Sequence, residues 1–192
     1  MKQNDVLDVS GHLQIIKVYK DGTEEKVYDD HNVITSGMGV GLSMLFAGQG
    51  SSIADFQIRY FQVGSGAPTS YDYTQNKLEK PIDNVSYYGQ AITSTHKRML
   101  PNGAGSTNEI FSYIPGNAIK KSSPTSVTYI LYLTEEAVPP WPIDEVGLFM
   151  NNPLSTIITL GEKRSPLVAY RTFNAITKTG EYSLVFKWKL SF

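Results

Sequence analysis

The chain contains no cysteine among its 192 residues. This absence excludes disulfides, thiolate metal ligands and thiol nucleophiles. Histidine is scarce, with three residues, which limits the choice of general bases and metal ligands. No apolar run approaches the length of about 18 residues that a membrane-spanning helix requires, and the first residues lack the apolar core of a signal peptide. We therefore expect a protein that has no membrane partner and is made without an export signal.

Charged residues are few and nearly balanced. Lys and Arg total 17 and Asp and Glu total 18, which gives a formal net charge of −1. A chain with this balance has no broad basic surface, so we expect no specific nucleic-acid partner. Twelve Tyr and eight Phe favour strands, and sixteen Gly with ten Pro supply turns. The composition indicates a mainly β fold.

The C-terminal segment, residues 182–192, has the most regular pattern in the chain. Apolar side chains recur at every second position without a break, which is typical of a strand with one buried face. The apolar side is formed by Tyr182, Leu184, Phe186, Trp188, Leu190 and Phe192. We predict that Trp188 lies in the main core, or in a subunit seam continuous with it, and that its indole N–H has a hydrogen-bond partner.

Turn residues mark a hairpin and several further strands. Asp21 and Gly22 separate two β-rich runs and predict a hairpin over residues 13–28. Runs rich in β-branched and aromatic residues predict the other strands, at residues 56–63, 127–133, 143–150 and 167–174. Trp141 lies in a proline-rich turn that it is expected to anchor.

One helix is predicted at about residues 36–47. Thr35 or Ser36 is placed to cap it, and its apolar members are Met38, Leu42, Leu45 and Phe46. Three glycines at positions 37, 39 and 41 do not match a dinucleotide or phosphate-binding loop, because the spacing differs and no lysine follows. They favour a helix that packs closely against a sheet.

These patterns predict a mainly β, antiparallel, β-sandwich-like single domain over residues 11–192 with one short apolar helix. Residues 1–10 are expected to form a flexible N-terminal arm. A long loop-rich insertion is expected at about residues 69–126. Within it, residues 101–124 are predicted to be peripheral and to contribute little to folding.

The candidate metal and acid-base residues do not form a known motif. His31 follows Asp29 and Asp30, but neighbouring strand residues point to opposite faces and do not converge on one ion. His12 and His96 are expected on the surface. We therefore predict no metal or cofactor site.

Two pairs of adjacent acids, Glu135–Glu136 and Asp144–Glu145, were considered for glycoside hydrolysis. That chemistry needs two carboxyl groups that flank a bond at roughly 5 to 9 Å, and acids adjacent on a strand point apart. We predict no catalytic residues and no enzymatic activity.

Several segments together resemble small virion proteins of tailed bacteriophages, found in tails, necks, baseplates and fibre attachments. The segments are HNVITSGMGVGLSMLFAG at 31–48, YFQVGSGAPT at 60–69, KLEKPI at 77–82, IDEVGLFMNN at 143–152 and LVAYRTFNAITKTGEYSLVFKWKLSF at 167–192. The resemblance implies a non-enzymatic structural subunit that acts in assembly or as an adaptor. Its expected partners are copies of itself in a symmetric ring or trimer and other virion structural proteins.

The resemblance also implies a location in the virion after synthesis in the host cytoplasm. An alternative is a carbohydrate-binding module on a tail fibre or spike, in which Tyr71, Tyr73, Tyr87 and Tyr88 stack on host-surface glycans. The same tyrosines are also consistent with ordinary packing on the body of the protein or on another subunit. A third alternative, an enzyme acting on the host envelope, has no supporting pair of acids.

Overall fold

Every strand pairing in the structure is antiparallel. The structure is a computed structural model, and it describes residues 9–50, 52–82, 97–99, 108–110, 112–139, 141–151 and 166–192. In chain order the described elements are β1 (Ser10–Tyr19), β2 (Glu24–Ile34), α1 (Ser36–Phe46), a 3-10 helix (Ile53–Phe56), β3 (Ile58–Gly64), β4 (Lys97–Met99), β5 (Asn108–Ile110), β6 (Ser112–Tyr113), a second 3-10 helix (Gly116–Ala118), β7 (Ile119–Ser123), β8 (Ser126–Leu133), β9 (Ile143–Met150), β10 (Leu167–Ile176) and β11 (Tyr182–Ser191).

Nine of these strands form one sheet in the order β6-β3-β9-β10-β2-β1-β11-β8-β7, and β4 pairs with β5 separately. β2 is the link between the two halves of the sheet. It pairs with β1 along most of its length, but with β10 only through Val33 and Ile34, opposite Tyr170 and Ala169. β2 therefore belongs to both halves of the curled sheet, which encloses the larger of two buried apolar clusters.

The core draws buried side chains from both halves of the sheet. From the half around β11 come Leu13, Ile15, Leu131, Leu184, Phe186, Trp188 and Leu190, and from the half around β9 come Phe61, Val63, Val146, Leu148, Val168 and Phe173. The Phe173 and Phe186 rings lie 6.4 Å apart across it. These contacts confirm the predicted mainly β, antiparallel, sandwich-like domain with one short apolar helix.

The C-terminal strand is central, as its alternation predicts. β11 lies between β1 and β8, with Trp188 opposite Leu13 on one side and Tyr129 on the other. Trp188 is fully buried, and its Nε1 donates to Asn32 Oδ1 at 2.7 Å. The predicted burial and the predicted indole partner are both confirmed.

The predicted hairpin is formed by β1 and β2. Gly22 at the turn has a φ of 85°, a left-handed conformation that glycine adopts without steric cost. Asp21 Oδ1 accepts a hydrogen bond from the Thr23 amide at 2.8 Å, which is how aspartate commonly stabilises a turn. Ser10, which was expected in the flexible arm, begins β1 instead. Residues 1–8 of that arm lie outside the described residues.

Two expectations about loops need correction. Trp141 is 55% exposed and contacts the Lys80 ammonium, 5.0 Å from its ring centroid, so it does not anchor its turn in the core.

The insertion at 69–126 contributes Leu78, Ile82 and Ile114 to the buried apolar clusters. Its end also supplies β6 and β7, the two edge strands of the sheet, because backbone pairing does not require an apolar sequence. Residues 101–107 of the predicted peripheral segment lie outside the described residues.

Trp188→Ala should destabilise the protein by about 3 to 5 kcal/mol, because it empties a fully buried site. It would also leave Asn32 Oδ1 without the indole donor. Lys187→Ala, one residue away on the outer face, should cost far less. Urea unfolding of both variants measures the difference. Equal small losses would contradict the observed register of β11.

Candidate functional site

α1 packs directly against the sheet through two of its three glycines. A Cβ atom added at Gly37 would overlap the Leu167 carbonyl oxygen, and one added at Gly41 would overlap the Met150 sulfur. Thr35 is the N-cap residue, but its hydroxyl donates to the Leu167 carbonyl instead of capping the helix. These contacts confirm the close helix packing that the glycines predict.

The end of α1 presents apolar side chains to solvent. Phe46 is 81% exposed, Ile53 in the adjoining 3-10 helix is 75% exposed, and Leu45 is 36% exposed. We call Leu45, Phe46 and Ile53 the helix-end patch. The sequence pattern groups Leu45 and Phe46 with Met38 on one apolar face. In the structure the glycine contacts turn Met38 and Met44 inward and leave Phe46 outside.

An apolar groove of about 340 Å³ opens between these two helices and the β7–β8 end of the sheet. Its lining includes Leu42 of α1, Phe56 of the 3-10 helix, Tyr129 of β8 and the half-exposed Phe192. Burial raises the pKa of Tyr129 to about 12, so its hydroxyl stays protonated at neutral pH. The same two helices therefore carry the helix-end patch and one wall of an apolar groove.

Glu145 is a fully buried carboxylate on β9. It accepts hydrogen bonds from the Tyr170 hydroxyl at 2.6 Å and from the backbone amides of Glu79 at 3.1 Å and Lys80 at 2.9 Å. A Cβ atom at Gly64 would overlap this carboxylate, so a glycine is required beside it. The contacts tie the loop after β3 to the sheet, and each carboxylate oxygen has a donor.

The acid pair Asp144–Glu145 does not converge on a common site. Asp144 points away from Glu145 and accepts the Ala67 amide at 3.0 Å, as expected for neighbours on a strand. Burial, followed by the hydrogen bond to Glu145, raises the pKa of Tyr170. The phenol therefore remains a donor to Glu145.

The second acid pair lies in the turn after β8. The Ser183 hydroxyl donates to Glu135 Oε1 at 2.6 Å, whereas Glu136 is exposed. The buried Lys178 ammonium donates to the carbonyls of Thr179 at 2.6 Å and Glu135 at 3.4 Å. Burial lowers the pKa of Lys178. These bonds join the turn after β8 to the link before β11.

The described histidines lie on the outer side of the first hairpin. The rings of His12 and His31 meet edge to face across β1 and β2, with centroids 5.5 Å apart. His12 Nε2 lies 2.9 Å from Asp29 Oδ1, while Asp30 points to the other side and pairs with Arg171 at 2.5 Å. Within the described part of the chain, no group of three or more His, Asp or Glu side chains is arranged to hold a metal ion.

Two of the tyrosines proposed for glycan stacking, Tyr71 and Tyr73, lie among the described residues. Tyr71 is half-buried and packs edge-on against a buried tyrosine of β10, with ring centroids 5.0 Å apart. Tyr73 is mostly exposed. Tyr87, Tyr88 and His96 lie outside the described residues.

Sequence reasoning missed the Glu145 network and the Arg171 contacts to β2. A local signal for the first exists, because Asp144 and Glu145 are the only charged residues of the strand IDEVGLFM. The partners at Glu79 and Lys80 lie 66 and 65 residues away, and no local pattern identifies them.

Comparison with protein-family models, curated proteins and solved structures finds no match to this chain. None of the helices among the described residues is long and apolar enough to cross a membrane. The functional interpretation therefore depends on the surfaces described above and on the resemblance in sequence.

Glu145→Gln should reduce the free energy of unfolding by about 1 to 3 kcal/mol, because an amide NH₂ group cannot accept the hydrogen bonds that the second carboxylate oxygen accepts. Asp144→Asn is the matched control, since an asparagine oxygen can still accept the single Ala67 amide. Urea unfolding at neutral pH measures both. Equal losses would show that the Glu145 network does not stabilise the fold beyond an ordinary surface contact.

Stability should fall below about pH 4.5, and Glu135 should contribute to the fall. The Ser183 hydrogen bond lowers the pKa of Glu135 below its ordinary value of 4.5. A carboxyl with a lowered folded-state pKa stabilises the protein above the unfolded-state pKa, and this stabilisation is lost as the pH falls through the folded-state pKa. Glu135→Gln should therefore lose less stability than the wild type between pH 6 and about pH 3.

Unfolding midpoints of the two proteins at both pH values test this difference. Glu136→Gln is the matched control, because Glu136 is exposed in the same turn, and it should retain the wild-type acid sensitivity. If Glu135→Gln were as acid-sensitive as the wild type, the hydrogen bond from Ser183 would not contribute to stability.

Proposed function

We propose that this protein is a non-enzymatic structural subunit of a bacteriophage virion, acting in assembly or as an adaptor in the tail, neck or baseplate. The observation that carries the proposal is the helix-end patch, where Phe46 and Ile53 face solvent. Contact with another protein would remove this apolar surface from water, at about 25 cal/mol per Å². The sequence resemblance to small virion proteins supports the assignment to a bacteriophage virion.

The patch has the features of a preformed contact surface. Single exposed apolar residues are common on proteins, but here three lie on two elements that contact each other. Gly48 and Gly50 follow α1 and have φ values of 65° and 113°. A Cβ atom at Gly50 would overlap the Phe56 ring, at 2.7 Å, so the backbone at Gly50 packs closely on the 3-10 helix. A fixed surface loses less entropy on binding than a mobile one.

The proposed partners are copies of the same chain and other virion structural proteins. The patch contains no charged residue, and cores of protein interfaces are depleted in charge and enriched in aromatics. The apolar groove beside Leu42 and Phe192 is a different surface of the same chain. A contact between the patch of one copy and the groove of the next would be heterologous, and it closes into a ring or trimer when the rotation permits.

Quantitative mass spectrometry of purified particles tests the proposal. The wild-type chain should be present at a fixed number of copies per particle in the phage that encodes it. Phe46→Ser should fold normally, because an exposed side chain contributes about 0.5 kcal/mol or less to stability. It should nevertheless be strongly depleted from particles.

Val138→Ser is the matched control, since Val138 is 53% exposed outside the patch, and it should be incorporated like the wild type. Absence of the wild-type chain from intact particles would refute the virion role. Normal incorporation of Phe46→Ser would keep the virion role and refute the patch as its contact.

A further inference from the structure

A second groove, of about 380 Å³, lies between β2 and β10. The two strands are paired only where Val33 and Ile34 meet Tyr170 and Ala169. Beyond that point β2 follows β1 and β10 follows β9, so the strands diverge and a gap opens between the two halves of the sheet. The volume falls in the range of about 300 to 1,000 Å³ that is usual for small-molecule sites.

The lining of this groove combines aromatic carbon with hydrogen-bonding groups. Tyr28 and Phe173 contribute rings whose centroids lie 5.8 Å apart. The lining also includes Arg171, Thr172 and Asn174, residue types that carry a guanidinium, a hydroxyl and an amide. Burial raises the pKa of Tyr28, so its phenol is a hydroxyl donor at neutral pH.

The charge in the groove is compensated by a neighbouring carboxylate. Arg171 Nη2 lies 2.5 Å from Asp30 Oδ2, and Arg171 Nε donates to the Tyr28 hydroxyl. The guanidinium also lies over the Tyr28 ring, 5.4 Å from its centroid. The arginine is therefore fixed in place, and the paired charges give the groove no net attraction for an anion.

We propose that this groove binds a neutral saccharide. A sugar ring has an apolar C–H face that packs on aromatic carbon and a rim of hydroxyls that both donate and accept hydrogen bonds. Thr172 and Asn174 offer both functions, and the fixed Arg171 offers planar donors. The proposal is independent of the virion role, because it depends on residues outside the helix-end patch.

Two other ligand classes fit the groove less well. A phosphate or carboxylate ligand would have to compete with Asp30 for Arg171. An apolar peptide side chain would cover the hydroxyl of Thr172 and the amide of Asn174 without satisfying them, which costs binding free energy. A polyol satisfies these groups and needs no net charge.

Saturation-transfer NMR on the full chain tests the proposal with D-glucose, D-galactose and N-acetyl-D-glucosamine as probes. At least one should receive saturation and bind with a millimolar dissociation constant. Thr172→Val and Asn174→Ala should each weaken that binding roughly fivefold, the effect of one lost hydrogen bond. Both residues are half-buried or exposed, so both variants should fold. Asn117→Ala, an exposed asparagine in the second 3-10 helix, is the matched control and should bind like the wild type.

N-acetylneuraminic acid, inorganic phosphate and a capped tetra-alanine peptide distinguish the alternatives in the same experiment. Saturation of a neutral sugar that weakens in Asn174→Ala supports the proposal. Binding of only an acidic probe or only the peptide would overturn it, as would no binding of any probe. Sugar binding that is equally strong in Thr172→Val and Asn174→Ala would also overturn it, because the contact would then lie elsewhere.

Discussion

The pairing of β2 with two different neighbours is the constraint on which the rest of the structure depends. β2 is held by β1 along most of its length and by β10 at Val33 and Ile34. Near this change of partner, the side chain of Asn32 accepts the Trp188 indole N–H, so the largest buried side chain is fixed where the two halves meet. The same change of partner encloses the apolar core on one side and opens the groove beside Arg171 on the other.

Buried polar groups determine how the connecting segments lie on this framework. Apolar packing alone tolerates many arrangements of similar volume, whereas a buried carboxylate is stable only with its donors in place. Glu145 therefore specifies the position of the backbone at Glu79 and Lys80. Lys178 does the same for the turn after β8 through the Glu135 carbonyl, and it also donates to the carbonyl of the adjacent Thr179. Such groups add little net stability compared with a well-packed apolar side chain, but they exclude alternative loop positions.

Local patterns predict much of this fold because its strands are half-buried. Alternation places Trp188 inside and Lys187 outside, and Asp21 with Gly22 marks the first turn. Such signals need no knowledge of which strands pair. The burial of Leu78 and Ile114 was not predicted, because their segment is polar overall and its few apolar residues show no periodicity.

The candidate surfaces were harder to predict than the fold, because they depend on topology. Nothing local relates Arg171 to Tyr28 or Asp30, which lie 143 and 141 residues away. Exposure of Phe46 depends on the close approach of Gly37 and Gly41 to the sheet, which turns other apolar side chains inward. A helical pattern identifies an apolar stripe, but the partner of the helix decides which part of it is covered.

The start of α1 and the polar groove lie at opposite ends of β10. Gly37 of α1 approaches this strand at Leu167, whereas the polar groove includes Asn174, seven positions further along. At about 3.3 Å per residue, the two positions are separated by roughly 23 Å. The helix-end patch, at the other end of α1, shares no residue with the polar groove. Assembly through α1 and ligand binding at Arg171 are therefore compatible in one subunit, and a substitution at either surface should leave the other unaffected.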